Sequence, residues 1–132
     1  MAREVMNTVT IDFPSVFTDE QVKYIGQRVV DAAREICGDK LREVILYGSY
    51  ARGDFKEWSD VDIMVLANAD DLECKRLDNE LMNTLFDLDN HMNLLLSVMV
   101  TPNARFERMK GAYPFYRNVM KEGKRLCSTA IV

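Results

Sequence analysis

The sequence predicts an α+β domain, α/β-like in its alternation, in which a small mixed β-sheet is flanked by helices. Three observations carry that expectation. Short, almost wholly apolar runs at 44–47, 61–67 and 92–100 have the length of buried strands. Two stripes, Val22-Ile25-Val29-Ile36 and Leu77-Leu81-Leu85-Leu88, recur at the 3–4-residue spacing of amphipathic helices. The first two runs are joined by 13 residues, 48–60, a connection too long for a tight hairpin.

Residues 1–18 show only a loose alternation (Val9, Ile11, Phe13) and are expected to be an N-terminal tail or edge strand, leaving 19–132 as a single domain. Thr18 is placed to cap a helix over 19–37, with Asp19 and Glu20 in its first turn and Gly38 closing it. The strand at 44–47 stops at Gly48. Residues 53–59 are polar and turn-like apart from Phe55 and Trp58, and the second strand runs over 61–67. Asp70-Asp71 opens the next helix, and 92–100 is expected to be a third strand ended by Pro102. Asn103 is a candidate cap for a short helix through Met109, and a last helix runs from Pro114 to Gly123.

Composition narrows the function classes. With 132 residues and 48% hydrophobic content, the chain can bury a real core. No stretch approaches the ~18 apolar residues of a membrane span, and MAREVMNTVTIDFP lacks the apolar segment of a secretory signal. Cys37, Cys74 and Cys127 are odd in number and widely spaced, which fits a reducing cytoplasm and neither a disulfide framework nor a zinc site. The net charge of −4 argues against general nucleic-acid affinity. It is unevenly spread: residues 103–125 hold seven basic and two acidic side chains, +5, so the remainder carries −9. That stretch reads as a solvated basic helix face or as a surface offered to phosphates or an acidic partner.

The chemistry concentrates in GSYARGDFKEWSDVDIMV, residues 48–65. Gly48-Ser49 directly after a strand makes a tight turn with exposed backbone N–H groups and a hydroxyl. A short helix beginning at Tyr50 would aim those N–H groups at an anion, and Arg52 would add positive charge. Asp60 and Asp62, one residue apart at a strand mouth, share a face with Cα atoms roughly 6.5–7 Å apart. Two carboxylates that close repel unless a cation lies between them. Oxygen ligands without His or Cys favour Mg²⁺ or Mn²⁺. A phosphate-cradling turn beside paired aspartates is the apparatus of metal-assisted chemistry on a nucleoside triphosphate.

Gly48-Ser49, ten intervening residues and Asp60-Val61-Asp62 resemble the signature of the DNA polymerase β-like nucleotidyltransferases. The fuller strings Gly48-Ser49-Tyr50-Ala51-Arg52-Gly53 and Ser59-Asp60-Val61-Asp62-Ile63 resemble its minimal nucleotidyltransferase branch, and so does the run from Pro114 to Val119 followed by Glu122-Gly123. The likeness spans about residues 20–126 in element order. It implies that Gly48 and Ser49 hold the triphosphate of an NTP, ATP foremost, and that Asp60 and Asp62 ligate two Mg²⁺ ions. It also implies transfer of a nucleoside monophosphate, AMP, with release of pyrophosphate, and an antitoxin role beside a HEPN-domain partner that accepts the AMP. Self-association as a homo-oligomer is left open.

Catalytic members of that family carry a third acid on the next core strand. HMNLLLSVMV, residues 91–100, contains none, and the expected seat falls at Leu95, with Asn93 the next same-facing position. Either the site has two ligands and is a binding module impaired in turnover, or Asp87 or Asp89 reaches in from the preceding helix end. His91 reads as a strand-end histidine, and Trp58 either packs its loop or stacks on a nucleobase. Met82, Met92, Met99 and Tyr113 are assigned to the core or to a partner surface.

Overall fold

The computed structural model describes residues 2–6, 9–13, 15–88 and 90–128, with side chains from 15–88 and 92–128. Strands β1 (Ala2–Met6) and β2 (Val9–Phe13) pair antiparallel as a two-stranded sheet apart from the main one. Helix α1 (Asp19–Cys37) begins where the sequence expects. Thr18 Oγ1 accepts from the Gln21 N–H at 3.1 Å while the Gln21 side chain accepts from the Thr18 N–H at 2.8 Å, a reciprocal capping box. Then follow β3 (Leu41–Tyr47), the four-residue helix α2 (Ser49–Arg52), β4 (Val61–Ala67) and α3 (Asp71–Thr84) capped by Asp70. The chain continues through α4 (Asn90–Leu94), β5 (Leu96–Pro102), α5 (Asn103–Met109), α6 (Pro114–Glu122) and β6 (Lys124–Ser128).

The main sheet has the order β5-β4-β3-β6. β4 pairs parallel with β5 and antiparallel with β3, and β3 pairs antiparallel with β6, so the sheet is mixed. One face, carrying Val44, Leu46, Val61, Ile63 and Val65, packs on α1, α3 and the 3-10 turn that follows α3, where Ile25 and Val29, Leu77 and Leu81, and Leu85 and Leu88 respectively are buried. The other carries Ile45, Met64 and Leu66 under Phe106 of α5 and Val119 of α6. Both faces of β4 are therefore covered along most of its length, which explains its unbroken apolar run.

Several expected boundaries are corrected. The strand expected at 92–100 begins only at Leu96. The residues before it form α4, closed by the Leu95 N–H donating to the Met92 carbonyl at 3.2 Å. Leu88, Met92 and Leu95 also fit helical spacing, and a continuous apolar run cannot distinguish the two periods. β3 starts three residues earlier than expected. Residue 103 does not cap α5: the N-cap is Pro102, with no side-chain hydrogen bond. β6 was not anticipated, because only Cys127 of its five residues is buried and an exposed edge strand carries no apolar alternation. No helix among the described residues is long and apolar enough to cross a membrane.

Candidate functional site

β3 ends at Tyr47, and the chain turns through Gly48 at φ +77 into α2. The turn is pinned from behind. The Tyr50 ring is buried and stacked on Phe55 with centroids 4.3 Å apart and 9° between planes, and its hydroxyl accepts the Phe17 N–H at 3.0 Å. The Gly48 carbonyl accepts from the Ala51 and Arg52 N–H groups, both at 3.1 Å. Antiparallel pairing sets Tyr47 beside Asp62 at the mouth of β4, and the parallel register sets Ser97 on the other side of Asp62. Tyr47, Asp62 and Ser97 thus form one row on one face of the sheet.

Gly48 closes over that row. A Cβ added there would overlap the Asp62 carboxylate and stand 3.1 Å from its Cγ and 3.3 Å from its Cβ. Only a residue without a side chain fits, at a φ that glycine alone adopts freely. The backbone turn therefore lies directly against the acid. Partial burial and the neighbouring Asp60 raise the Asp62 pKa above the ordinary carboxylate range, with Arg52 offsetting part of the rise. Two anions held together at such a cost are stabilised by a hard cation. Burial, and then the Asp62 charge, push the Tyr47 phenol up to about 12, so it stays a neutral hydrogen-bond donor at ordinary pH.

The other sequence candidates fall as follows. Ser49 is half-buried at the start of α2, and Asp60 is exposed at the rim. Arg52 borders the site, but its guanidinium donates to Asp54 at 3.1 Å and to Glu122 at 3.3 Å, so a phosphate would have to displace these exposed partners. Leu95 lies ahead of β5 and packs against the main core, so the position beside Asp62 is Ser97, a neutral residue, and β5 holds no acid. Asn93 sits in α4 with its Oδ1 buried and without a hydrogen-bond partner among the described residues. Asp87 is paired with Arg28 at 2.8 Å, and Asp89 lies outside the described residues, as does the side chain of His91. Among the described residues no group of three His, Cys, Asp or Glu is assembled to hold a metal. Trp58 is 45% exposed at φ +66, with its N–H donating to the Ser15 carbonyl at 2.7 Å. Met92 packs on the core, whereas Met82, Met99 and Tyr113 are exposed.

Sequence reasoning missed what α6 contributes. A cleft of about 190 Å³ opens beside Gly48 and is lined by Tyr47, Arg52, Phe115, Asn118 and Glu122. The Phe115 ring meets Tyr47 edge-on with centroids 5.8 Å apart. No local signal ties residue 115 to residue 47. A larger cavity of about 320 Å³ between α1, Phe55 and β6 touches neither Asp60 nor Asp62, so volume is a poorer guide here than chemistry.

Residues 27–127 match the nucleotidyltransferase domain family. A Methanocaldococcus jannaschii protein named "Putative protein adenylyltransferase MJ0604" is 30% identical over 98 residues, 72% of this chain and 87% of that one. The crystal structure of a "putative nucleotidyltransferase" from Sulfolobus solfataricus aligns over 83% of this chain and 82% of its own, with a TM-score of 0.52 and 17% identity. A toxin–antitoxin structure with AMP-PNP aligns over 80% of this chain and 74% of its own, with a TM-score of 0.49 and 23% identity.

Proposed function

The chain belongs to the nucleotidyltransferase domain family, and from that premise we propose that it transfers AMP from magnesium-bound ATP to a partner protein. It is a nucleotidyltransferase; the nucleotide, the metal and the acceptor are the proposal. The observation that carries it is the apposition of Gly48 and Asp62, which sets the backbone of the turn directly against a carboxylate that burial and Asp60 have made costly to ionise.

Asp60 and Asp62 are the residues that would hold Mg²⁺ or Mn²⁺. An all-oxygen pair completed by substrate phosphates suits a hard cation. When bound, the metal supplies neutralisation of the charge that develops on the triphosphate. The Ser49 hydroxyl and the N–H groups at the start of α2 grip the phosphates, and Arg52 exchanges Asp54 and Glu122 for them. An acceptor oxygen then bonds to the α-phosphorus, the bridge to the β-phosphate breaks, pyrophosphate leaves and the hydroxyl proton passes to water. A protein acceptor is supported by the name of the Methanocaldococcus relative. The resemblance to minimal nucleotidyltransferases supports a HEPN-domain toxin as that acceptor, with this chain as its antitoxin. Three buried free cysteines suit a cytoplasmic setting.

Ser97 beside Asp62, where an acid would complete the site, favours a second reading: a module that binds the nucleotide and the partner with slow or no transfer. The test is incubation with α-labelled ATP, Mg²⁺ and the protein encoded beside it, followed by mass spectrometry. An AMP adduct that disappears in Asp60→Asn with Asp62→Asn is expected. A tight complex without any adduct selects the second reading, and unchanged nucleotide affinity of the double variant in calorimetry removes both.

A further inference from the structure

We propose that the outer face of α6, with the cleft beside it, docks a segment of another protein rich in carboxylates and anchored by one apolar side chain. On α6, Tyr113, Arg117, Met120 and Lys121 project outward. Tyr113 is 57% and Met120 46% exposed, and neither cation has an ion-pair partner among the described residues. Arg117 and Lys121 are four apart on one helix face, a like-charge spacing that destabilises the helix unless an anion lies over it. Beside Met120 opens a cleft of about 210 Å³, floored by Ile45, Phe106 and Val119 and rimmed by Arg125. That is smaller than the ~300–1,000 Å³ of small-molecule sites and suits one side chain, its apolar floor ringed by polar groups. Arg125, 69% exposed although bonded to Glu43 at 3.0 Å, keeps donors free for an incoming carboxylate.

Charge complementarity names the occupant. The chain carries −4 overall, yet this face presents Arg117, Lys121 and Arg125, of which only Arg125 has an ion pair among the described residues, to Glu43. Exposed Tyr and Met among cations match the make-up of protein interfaces rather than of phosphate-tracking grooves, which need more outward cations than these three. The helix also reaches the site from its opposite, inward side, where Phe115 contacts Tyr47 beside Asp62. A segment bound there brings its protein up to the aspartates; that last step rests on the transfer reading, and the docking does not.

The probe is a fluorescein-labelled peptide of alternating Glu and Leu, compared by anisotropy with its Gln–Leu counterpart and with single-stranded RNA of equal length. The Glu–Leu peptide is expected to bind at least about tenfold more tightly than either control. Arg117→Glu with Lys121→Glu should remove that advantage, and Met120→Ala should weaken binding at unchanged charge, each with an unaltered melting curve because these side chains are exposed. Equal binding by the double variant, equal or tighter binding of the RNA, or a wild-type dimer in light scattering that the double variant breaks would each overturn the proposal. ATP calorimetry on the same samples reports separately on the nucleotide site.

Discussion

Gly48 and Gly53 separate two effects that glycine has in one turn. Both have positive φ, +77 and +86, but a Cβ at Gly48 runs into Asp62 whereas one at Gly53 meets nothing within 4 Å. Gly53→Ala should therefore cost about 1 kcal/mol of backbone strain in chemical denaturation and leave ATP affinity intact. Gly48→Ala should cost more and abolish ATP binding in calorimetry, since the acid must move. Equal ATP affinity in the two variants would show that the contact with Asp62 is incidental. The candidate residues Gly48, Ser49, Asp60 and Asp62 are named by residue type and spacing alone, and the structure places Gly48 against Asp62. Ser97 was not, because its place beside Asp62 depends on a register that the apolar run 92–100 does not disclose.

Among the elements, β5 has an edge that a helix protects. It is one of the two outer strands of the main sheet, and Asp78 of α3 covers its free side, accepting the Val100 N–H at 3.2 Å. Burial raises the Asp78 pKa, an effect the Val100 hydrogen bond only partly offsets. Folding thus favours the protonated acid. The destabilisation is fully present above the raised folded pKa, diminishes as pH falls through it, and is gone below the unfolded value of about 3.9. Asp78→Asn keeps an acceptor without the charge, so its melting temperature should exceed that of the wild type at pH 7 and converge with it toward pH 4. A constant difference across that range would mean that ionisation is not the cause. Elements with sharp boundaries were legible in sequence: α1 lies at its expected bounds because stripe, cap and breaker agree there, and β4 because its apolar run is flanked by polar residues. β6 and the α4–β5 boundary were not, since one has almost no buried residue and the other is apolar throughout.

The whole molecule is a sheet with a different partner on each face, and the two partners do different work. α1 and α3 supply the main core, so Leu85→Ala, at a fully buried position, should cost about 2–5 kcal/mol in urea denaturation. A loss below about 1 kcal/mol would show that this layer is loosely packed. α5 and α6 cover the far part of the other face and leave its mouth open at Tyr47, Asp62 and Ser97. The uncovered strip is where the acids stand, and the covering helix carries the cations.

The sequence by itself determined the family and the mixed α+β architecture, because periodicity, caps and short motifs are local and survive without a partner. Only the tertiary structure decided that Gly48 lies against Asp62, that Ser97 rather than an acid flanks it, and that α6 borders the site with its basic face outward. Those facts depend on strand register and on contacts between residues far apart in the chain, and no pattern of neighbouring residues records them.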